Sequence, residues 1–439
     1  MFEGNQTRTS HDNEENYLHR LDNEKHKQIA CGKLMICCKP EIMSRGYLGS
    51  VLVGVLLGCG RVCAQIDTVQ LTFQGSWTGI VSAAALQVSS NYAYLADGVA
   101  DLQIIDISAP TNPIATGSFV SNVGDPNSGE PGFPASDVQV RGDLAYVADN
   151  YDGLHVLDVS DPAHPVALGD ALIGSLAVQV VDNLAYVGVV LGGSSGPFTQ
   201  LNVLDVSNPT NPISISSFGT QSPVRPLAAE NHYLLVAIGK TIQLLDVFSR
   251  TNPIAVGSLS ISDFAQSAQV VTNFAYIAAG AEGLLVLDIS DPSRPTKVAD
   301  YPAGGNTMDV CLVDGYAYIA DSISGLVVLD VTNPTNALQV GQYQRPGCRR
   351  VRIIGTHAYL ASAEAGLEVL EINLFPYISG VLRNGNSLEL TWRGATGLKL
   401  QSTTSLTNPT WSDVPGSDGQ SRIDLPIDKS QAFYRLVKQ

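Results

Sequence analysis

The densest concentration of chemistry-bearing side chains is the stretch Gln344-Arg-Pro-Gly-Cys-Arg-Arg-Val-Arg352. It places Arg345, Arg349, Arg350 and Arg352 close together in a chain whose 25 Lys+Arg are outnumbered by 41 Asp+Glu. Planar guanidinium groups suit bidentate contact with a carboxylate, sulfate or phosphate. They are equally suited to pairing with Asp137, Asp309 or other carboxylates of the acid surplus. Arg345, Arg349, Arg350, Arg352, Asp137 and Asp309 are therefore the candidate ligand-binding set.

Other chemistries find little support. His155, His164, His232 and His357 have no metal-ligand spacing, and no Gly-Xaa-Ser-Xaa-Gly elbow, phosphate loop or dinucleotide fingerprint occurs in the repeats. No catalytic residue, metal site or cofactor is expected. The net charge of −16 argues against nucleic acid, whose backbone demands a basic surface. Cys311 and Cys348 fall at different offsets within their repeats, which argues against a disulfide.

The elements that must position these residues come from a repeat. The phrase Ala-Tyr-Leu-Ala-Asp…Leu-Gln-Ile-Ile-Asp-Ile-Ser108 returns as Ala-Tyr-Val-Ala-Asp…Leu-His-Val-Leu-Asp-Val-Ser160, and its acidic anchor recurs at Asp205, Asp246, Asp288, Asp330 and Glu371. Successive spacings of 52, 47, 41, 42, 42 and 41 residues give a base period near 42. Each unit contains four short β-branched runs separated by Asn, Gly and Asp-Pro turn signals, the third almost wholly apolar. With Gly 41 and Pro 23, the composition is that of an all-β chain. Four strands per repeat predict a propeller blade, and seven repeats predict seven blades over residues 66–374. The last repeat lacks a fourth strand. Val69-Gln-Leu-Thr-Phe-Gln-Gly-Ser-Trp77 has the texture of one, which predicts closure by pairing with the strand ending near Glu371.

Repetition also sorts the polar residues. The anchor carboxylates are expected to accept hydrogen bonds from turn amides rather than to form a catalytic ring. Tyr94, Tyr146, Tyr186, Tyr276, Tyr318 and Tyr359 are expected to pack between blades. Counting back from these tyrosines puts Asp137, Ser267, Asp309 and Arg350 on the innermost strands at nine residues, and Gln87, Gln139, Gln179, Gln269, Cys311 and Arg352 at seven. They would either line a wet channel or be satisfied by neighbouring backbone.

Residues 1–64 read as an address. Arg45 precedes an apolar run through Leu57, and Val62-Cys63-Ala64 supplies a small-residue cleavage site, so a secretory signal is expected with translation starting at Met43. Leu56-Leu57-Gly58-Cys59 resembles a lipobox, which would leave a lipid anchor at Cys59. The apolar run is too short to span a bilayer, so no transmembrane segment is expected in the mature chain. Residues 375–439, with Trp392, Trp411, Phe433 and Tyr434, predict a small β-sandwich-like domain.

The phrase Leu-Xaa-Val-Leu-Asp-Val-Ser-Asp-Pro, seen with small variations such as Thr332 and Asn333 at Leu154–Pro162, Leu284–Pro292 and Leu326–Pro334, resembles the LVIVD repeat of bacterial exported and surface proteins. That resemblance implies a β-propeller and brings no assigned catalytic activity with it. The repeat around Leu234-Leu-Val-Ala237 and Phe248-Ser-Arg250 departs from the pattern. The expected function is that of a non-catalytic binding scaffold, secreted, periplasmic or at the cell surface, for a protein or glycan ligand. Its longest insertions, residues 121–134 and 192–198, would serve recognition. The rival is an envelope enzyme acting on glycans at the channel mouth, which would need convergent carboxylates about 5–10 Å apart. A purely structural or self-associating surface protein is a third option.

Overall fold

A computed structural model describes the strands Leu52–Leu56 and Arg61–Ala64 and residues 69–79, 83–97, 101–121, 135–150, 152–171, 174–191, 198–362, 365–374, 377–384, 387–393, 398–404, 410–426 and 431–438. The lipobox cysteine Cys59, the charged region before the apolar run and nearly all of both long insertions lie outside the described residues. All described secondary structure is β, and among the described residues no helix is long and apolar enough to cross a membrane.

Residues 66–377 form one compact unit. Among the described residues it holds seven four-stranded antiparallel sheets. The first comprises Ala83–Ser89, Tyr92–Asp97, Leu102–Asp106 and Ile114–Phe119. Those that follow start at Ala135, Ser175, Val224, Ser267 and Thr307, each in the same sequential order. The seventh combines Cys348–Ile354, His357–Ser362 and Gly366–Leu374 with Val69–Trp77 from the other end of the unit. There Leu71 lies opposite Ile372 and Thr72 opposite Glu371, and Gln74 donates from Nε2 to Glu371 Oε2 at 2.8 Å.

Burial explains the repeat pattern. The third strand of the sixth sheet, Gly325–Asp330, is buried at every position because both faces are covered, whereas outer strands such as Val166–Ala171 are half exposed. Apolar clusters join the first sheet to the second, the second to the third, the third to the fourth, the fourth to the fifth and the fifth to the sixth. Another cluster joins Leu86 and Leu95 of the first sheet to Val369, Leu367 and Trp77 of the seventh. A leucine buried in such a layer costs about 2–5 kcal/mol when cut to alanine.

Two glycines show that Val69–Trp77 takes the outer-strand role. A Cβ on Gly117, in the outer strand of the first sheet, would stand 2.1 Å from the Pro162 carbonyl oxygen in the second sheet's turn. A Cβ on Gly75 would stand 2.6 Å from the Pro110 carbonyl oxygen in the first sheet's turn. Each glycine lets its strand approach the turn of the next sheet along.

The second unit contains residues 1–65, 378–392 and 396–439. Ser387–Arg393 pairs with Arg422–Pro426 in a three-stranded sheet, while Leu398–Thr403 pairs with Gln431–Lys438 in a five-stranded one. Leu390, Trp392, Leu400 and Leu436 are buried, and the Arg435 guanidinium sits 4.4 Å over the Trp411 ring. Leu52–Leu56 also pairs with Gln431–Lys438.

Candidate functional site

The innermost strands carry the charged residues, and hydrogen bonds fix their mutual direction. Asp137 Oδ2 accepts from Val178 N at 3.1 Å, and two residues further on Gln139 Oε1 accepts from Val180 N at 2.5 Å. Partners advance together, so neighbouring innermost strands run the same way and start at the same end. The sixth and seventh sheets repeat this: Asp309 Oδ2 accepts from Val351 N at 3.1 Å, and Gln269 Oε1 of the fifth accepts from Leu312 N at 2.6 Å. The innermost strand of the seventh sheet also lies against that of the first.

Cross-strand register identifies the equivalent positions. Ala85, Asp137, Ala177, Arg225, Ser267, Asp309 and Arg350 pair respectively with Ala96, Ala148, Gly188, Ala237, Ala278, Ala320 and Ala361. They form one belt near the starts of the strands. Two residues deeper, or three in the fourth sheet where a bulge intervenes, stand Gln87, Gln139, Gln179, Ala228, Gln269, Cys311 and Arg352, each opposite the repeat tyrosine or its replacement Leu235.

Arg225 escapes a count along the sequence. In the fourth sheet the bulge falls between Pro226 and Ala228, after the belt residue, and Leu235 stands in place of the tyrosine. In the second and sixth sheets it falls before the belt residue, between Ala135 and Asp137 and between Thr307 and Asp309. Counting nine back from Leu235 lands on Pro226, whereas the guanidinium sits one residue earlier.

The carboxylates are occupied by the scaffold. Asp309, 1% exposed, accepts from Ser267 Oγ at 2.5 Å on one oxygen, and from Val351 N and Arg352 Nη1 on the other, the last at 2.6 Å. It thus ties three sheets together. Asp137 accepts from Val138 N at 3.0 Å and Val178 N at 3.1 Å. Burial pushes the Asp137 carboxyl above its ordinary range, against the pull of Arg225, Arg350 and these amides. For Arg352 burial works against the charge, but Asp309, Cys311 and Asp137 together outweigh it and the pKa is raised. Arg225 is depressed by desolvation first and by Arg350 second, with Asp137 opposing.

Of the candidate set, Arg350, Arg352, Asp137 and Asp309 are brought together on the innermost strands. Arg345 is not: its Nε donates at 2.8 Å to Glu368 within the seventh sheet's third strand. Arg349 is the residue bulged out between Cys348 and Arg350. Cys311 and Cys348 are both buried free thiols, and burial raises the pKa of each. Among the described residues no cluster of His, Cys, Asp and Glu could hold a metal ion.

Six of the seven anchor carboxylates serve their own turns, whereas Glu371 accepts from Gln74 of the strand paired beside it. Asp106, Asp158 and Asp288 accept from the amide two residues on, at Ser108, Ser160 and Ser290, with distances of 2.8, 2.8 and 2.9 Å. Asp205, Asp246 and Asp330 do the same for Ser207, Phe248 and Thr332. The repeat tyrosines are at most 5% exposed, in the layers between sheets.

Among solved structures, the WD40 β-propeller domain of Doa1 is similar with a TM-score of 0.52 and 10% identity over 69% of this chain and 97% of that one. The computationally designed Ika8 protein gives 0.50 and 12% over 73% and 96%, and Saccharomyces cerevisiae Sqt1 gives 0.50 and 7% over 69% and 100%. Such identities speak for the β-propeller fold alone. No curated protein sequence matches the chain. The LVIVD repeat model matches residues 82–121, 134–171, 175–220, 264–302 and 304–345, and passes over the fourth sheet, where Arg225 and the displaced bulge lie. With five such repeats between residues 82 and 345, the chain belongs to the LVIVD repeat family.

Proposed function

We propose that the chain is an exported, seven-bladed propeller, closed by Val69–Trp77, that serves as a non-catalytic scaffold for a protein or glycan ligand at the cell surface or envelope. The observation that carries this reading is a coincidence of position. The insertion at 121–134 leads into the innermost strand Ala135–Arg141, and that at 192–198 leads into the third strand Phe198–Asp205 of the next sheet. In an antiparallel sheet the first and third strands start at the same end. Both insertions therefore belong to the end that carries the charged belt.

Export rests on the leader, removed after Ala64 or lipidated at Cys59. Cleavage after Ala64 would take Leu52–Leu56 and Arg61–Ala64 out of the five-stranded sheet and leave Gln431–Lys438 paired to Leu398–Thr403. Intact mass of the exported protein distinguishes the two routes.

The test is a glycan array and a protein-partner screen with the full chain and with variants in which each insertion is cut to a short Gly-Ser linker. Binding lost on shortening supports the reading. Binding unchanged in both variants overturns this end as the recognition face, and conversion of a bound glycan to product would move the protein to the glycan-processing class.

A further inference from the structure

We infer that the belt holds one carboxylate, clamped between Arg225 of the fourth sheet and Arg350 of the seventh. The inference deepens the reading of this end as the recognition face and names the chemistry recognised there.

Three cations and two anions meet on the innermost strands. Arg352 is spent on Asp309 Oδ2 and the Val351 carbonyl. Asp309 is held by Ser267, the Val351 amide and Arg352, and Asp137 by the amides of Val138 and Val178, and neither carboxylate makes an ion pair with Arg225 or Arg350 among the described residues. Arg350 donates from Nη1 to the carbonyls of Arg349 and Met308, at 3.0 and 3.4 Å, and has no carboxylate at ion-pair distance among the described residues. Arg225 makes neither a side-chain hydrogen bond nor an ion pair among the described residues, although its residue is only partly exposed.

Two like charges thus stand at equivalent register in one belt, with Asp137 the one carboxylate whose field reaches both and with no ion pair to it from either among the described residues, in a chain of net charge −16 that has carboxylates to spare. Such an arrangement is costly unless something negative completes it. The excess is one positive charge, three guanidiniums against two carboxylates, which a monoanion neutralises. A dianion would leave a surplus negative charge beside Asp137 and Asp309. Planar donor forks suit a planar, two-oxygen acceptor better than a spherical halide. The chemistry is one carboxylate, whether on a small free acid or on a uronic sugar.

The test is isothermal titration of the full chain with acetate, glucuronate, glucose, sulfate and chloride. Saturable one-to-one binding of acetate or glucuronate is expected, with glucose silent and chloride and sulfate weaker. Acetate and glucuronate binding alike assign recognition to the carboxylate alone; glucuronate binding more tightly adds the sugar. Arg225→Gln, which breaks no hydrogen bond of the scaffold, should weaken binding at least tenfold with the melting temperature kept. Arg345→Gln should leave it unchanged. No carboxylate binding, equal binding of sulfate or chloride, or an Arg225→Gln variant that binds like the wild type would each overturn the inference. A partner whose binding still depends on the two insertions would leave the scaffold reading standing.

Discussion

Arg352 of the seventh sheet donates from Nη1 to Oδ2 of Asp309 in the sixth at 2.6 Å, and the same oxygen takes the amide of Val351. One buried carboxylate therefore neutralises a guanidinium and satisfies a backbone donor on the next sheet, while its other oxygen holds Ser267 in the fifth. Asp309→Ala should cost about 3–5 kcal/mol, because it leaves a charge and an amide buried without partners. Ser267→Ala removes a single neutral donor and should cost about 1 kcal/mol. Urea unfolding of the two variants checks the ordering, and equal midpoints would refute it.

The repeat made much of this legible beforehand, because a residue recurring once per unit must serve the unit. Period, strand texture and the anchor carboxylates all follow from that rule. Gln139 and Gln269 meet the backbone of the next sheet, one of the two roles their spacing left open. What linear counting misses is Arg225, since a bulge moved by one step changes which residue enters the belt. It also groups Arg345 with Arg350 and Arg352 because they are near in sequence. Arg345 precedes the innermost strand and reaches Glu368 instead. Sequence proximity ranks charges by chain distance, whereas the fold ranks them by strand register.

Deleting residues 66–78 should abolish cooperative unfolding. The deletion strips the seventh sheet of its outer strand, including the Gln74–Glu371 hydrogen bond, and exposes the edge of Gly366–Leu374. It also removes Trp77 from the apolar layer between the seventh and first sheets. A melting transition as sharp as that of the intact chain would show that Val69–Trp77 is dispensable for closing the array.

Acid should destabilise the protein through its turns. The hydroxyl and amide of the serine two residues on hold the Asp158 and Asp205 carboxyls below their usual range, and amide and hydroxyl do the same for Asp106 and Asp288. A carboxyl depressed in the folded state contributes stability that is present above its unfolded pKa of about 3.9 and is lost as pH falls through the folded value. Asp137, raised by burial, works with the opposite sign, and its contribution is lost as pH rises. The four turn carboxylates outnumber it, so the urea midpoint should fall between pH 5 and pH 3. Asp288→Asn keeps an acceptor for the Ser290 amide but does not titrate, and should shallow that fall. An unchanged pH slope in this variant would rule the turn out as a source of the acid sensitivity.

Backbone conformation gives a pair of changes with opposite signs. Gly366 opens the third strand of the seventh sheet at φ +69°, and a Cβ there would stand 2.2 Å from the Trp77 carbonyl oxygen. Gly366→Ala combines a left-handed backbone, costing about 1–2 kcal/mol for an L-residue, with a clash against a strand that cannot yield without losing its pairing. Thr272 sits at φ +55° in the turn between the first two strands of the fifth sheet, where the second and seventh sheets place Gly142 and Gly355 at φ +57° and +56°. It is β-branched, and its hydroxyl contact is only to the carbonyl of the adjoining Val271. Thr272→Gly should therefore raise stability by about 1 kcal/mol while Gly366→Ala lowers it by more than 2 kcal/mol. Denaturant midpoints that moved in the same direction for both would mean that left-handed strain at Thr272 is not what limits that hairpin.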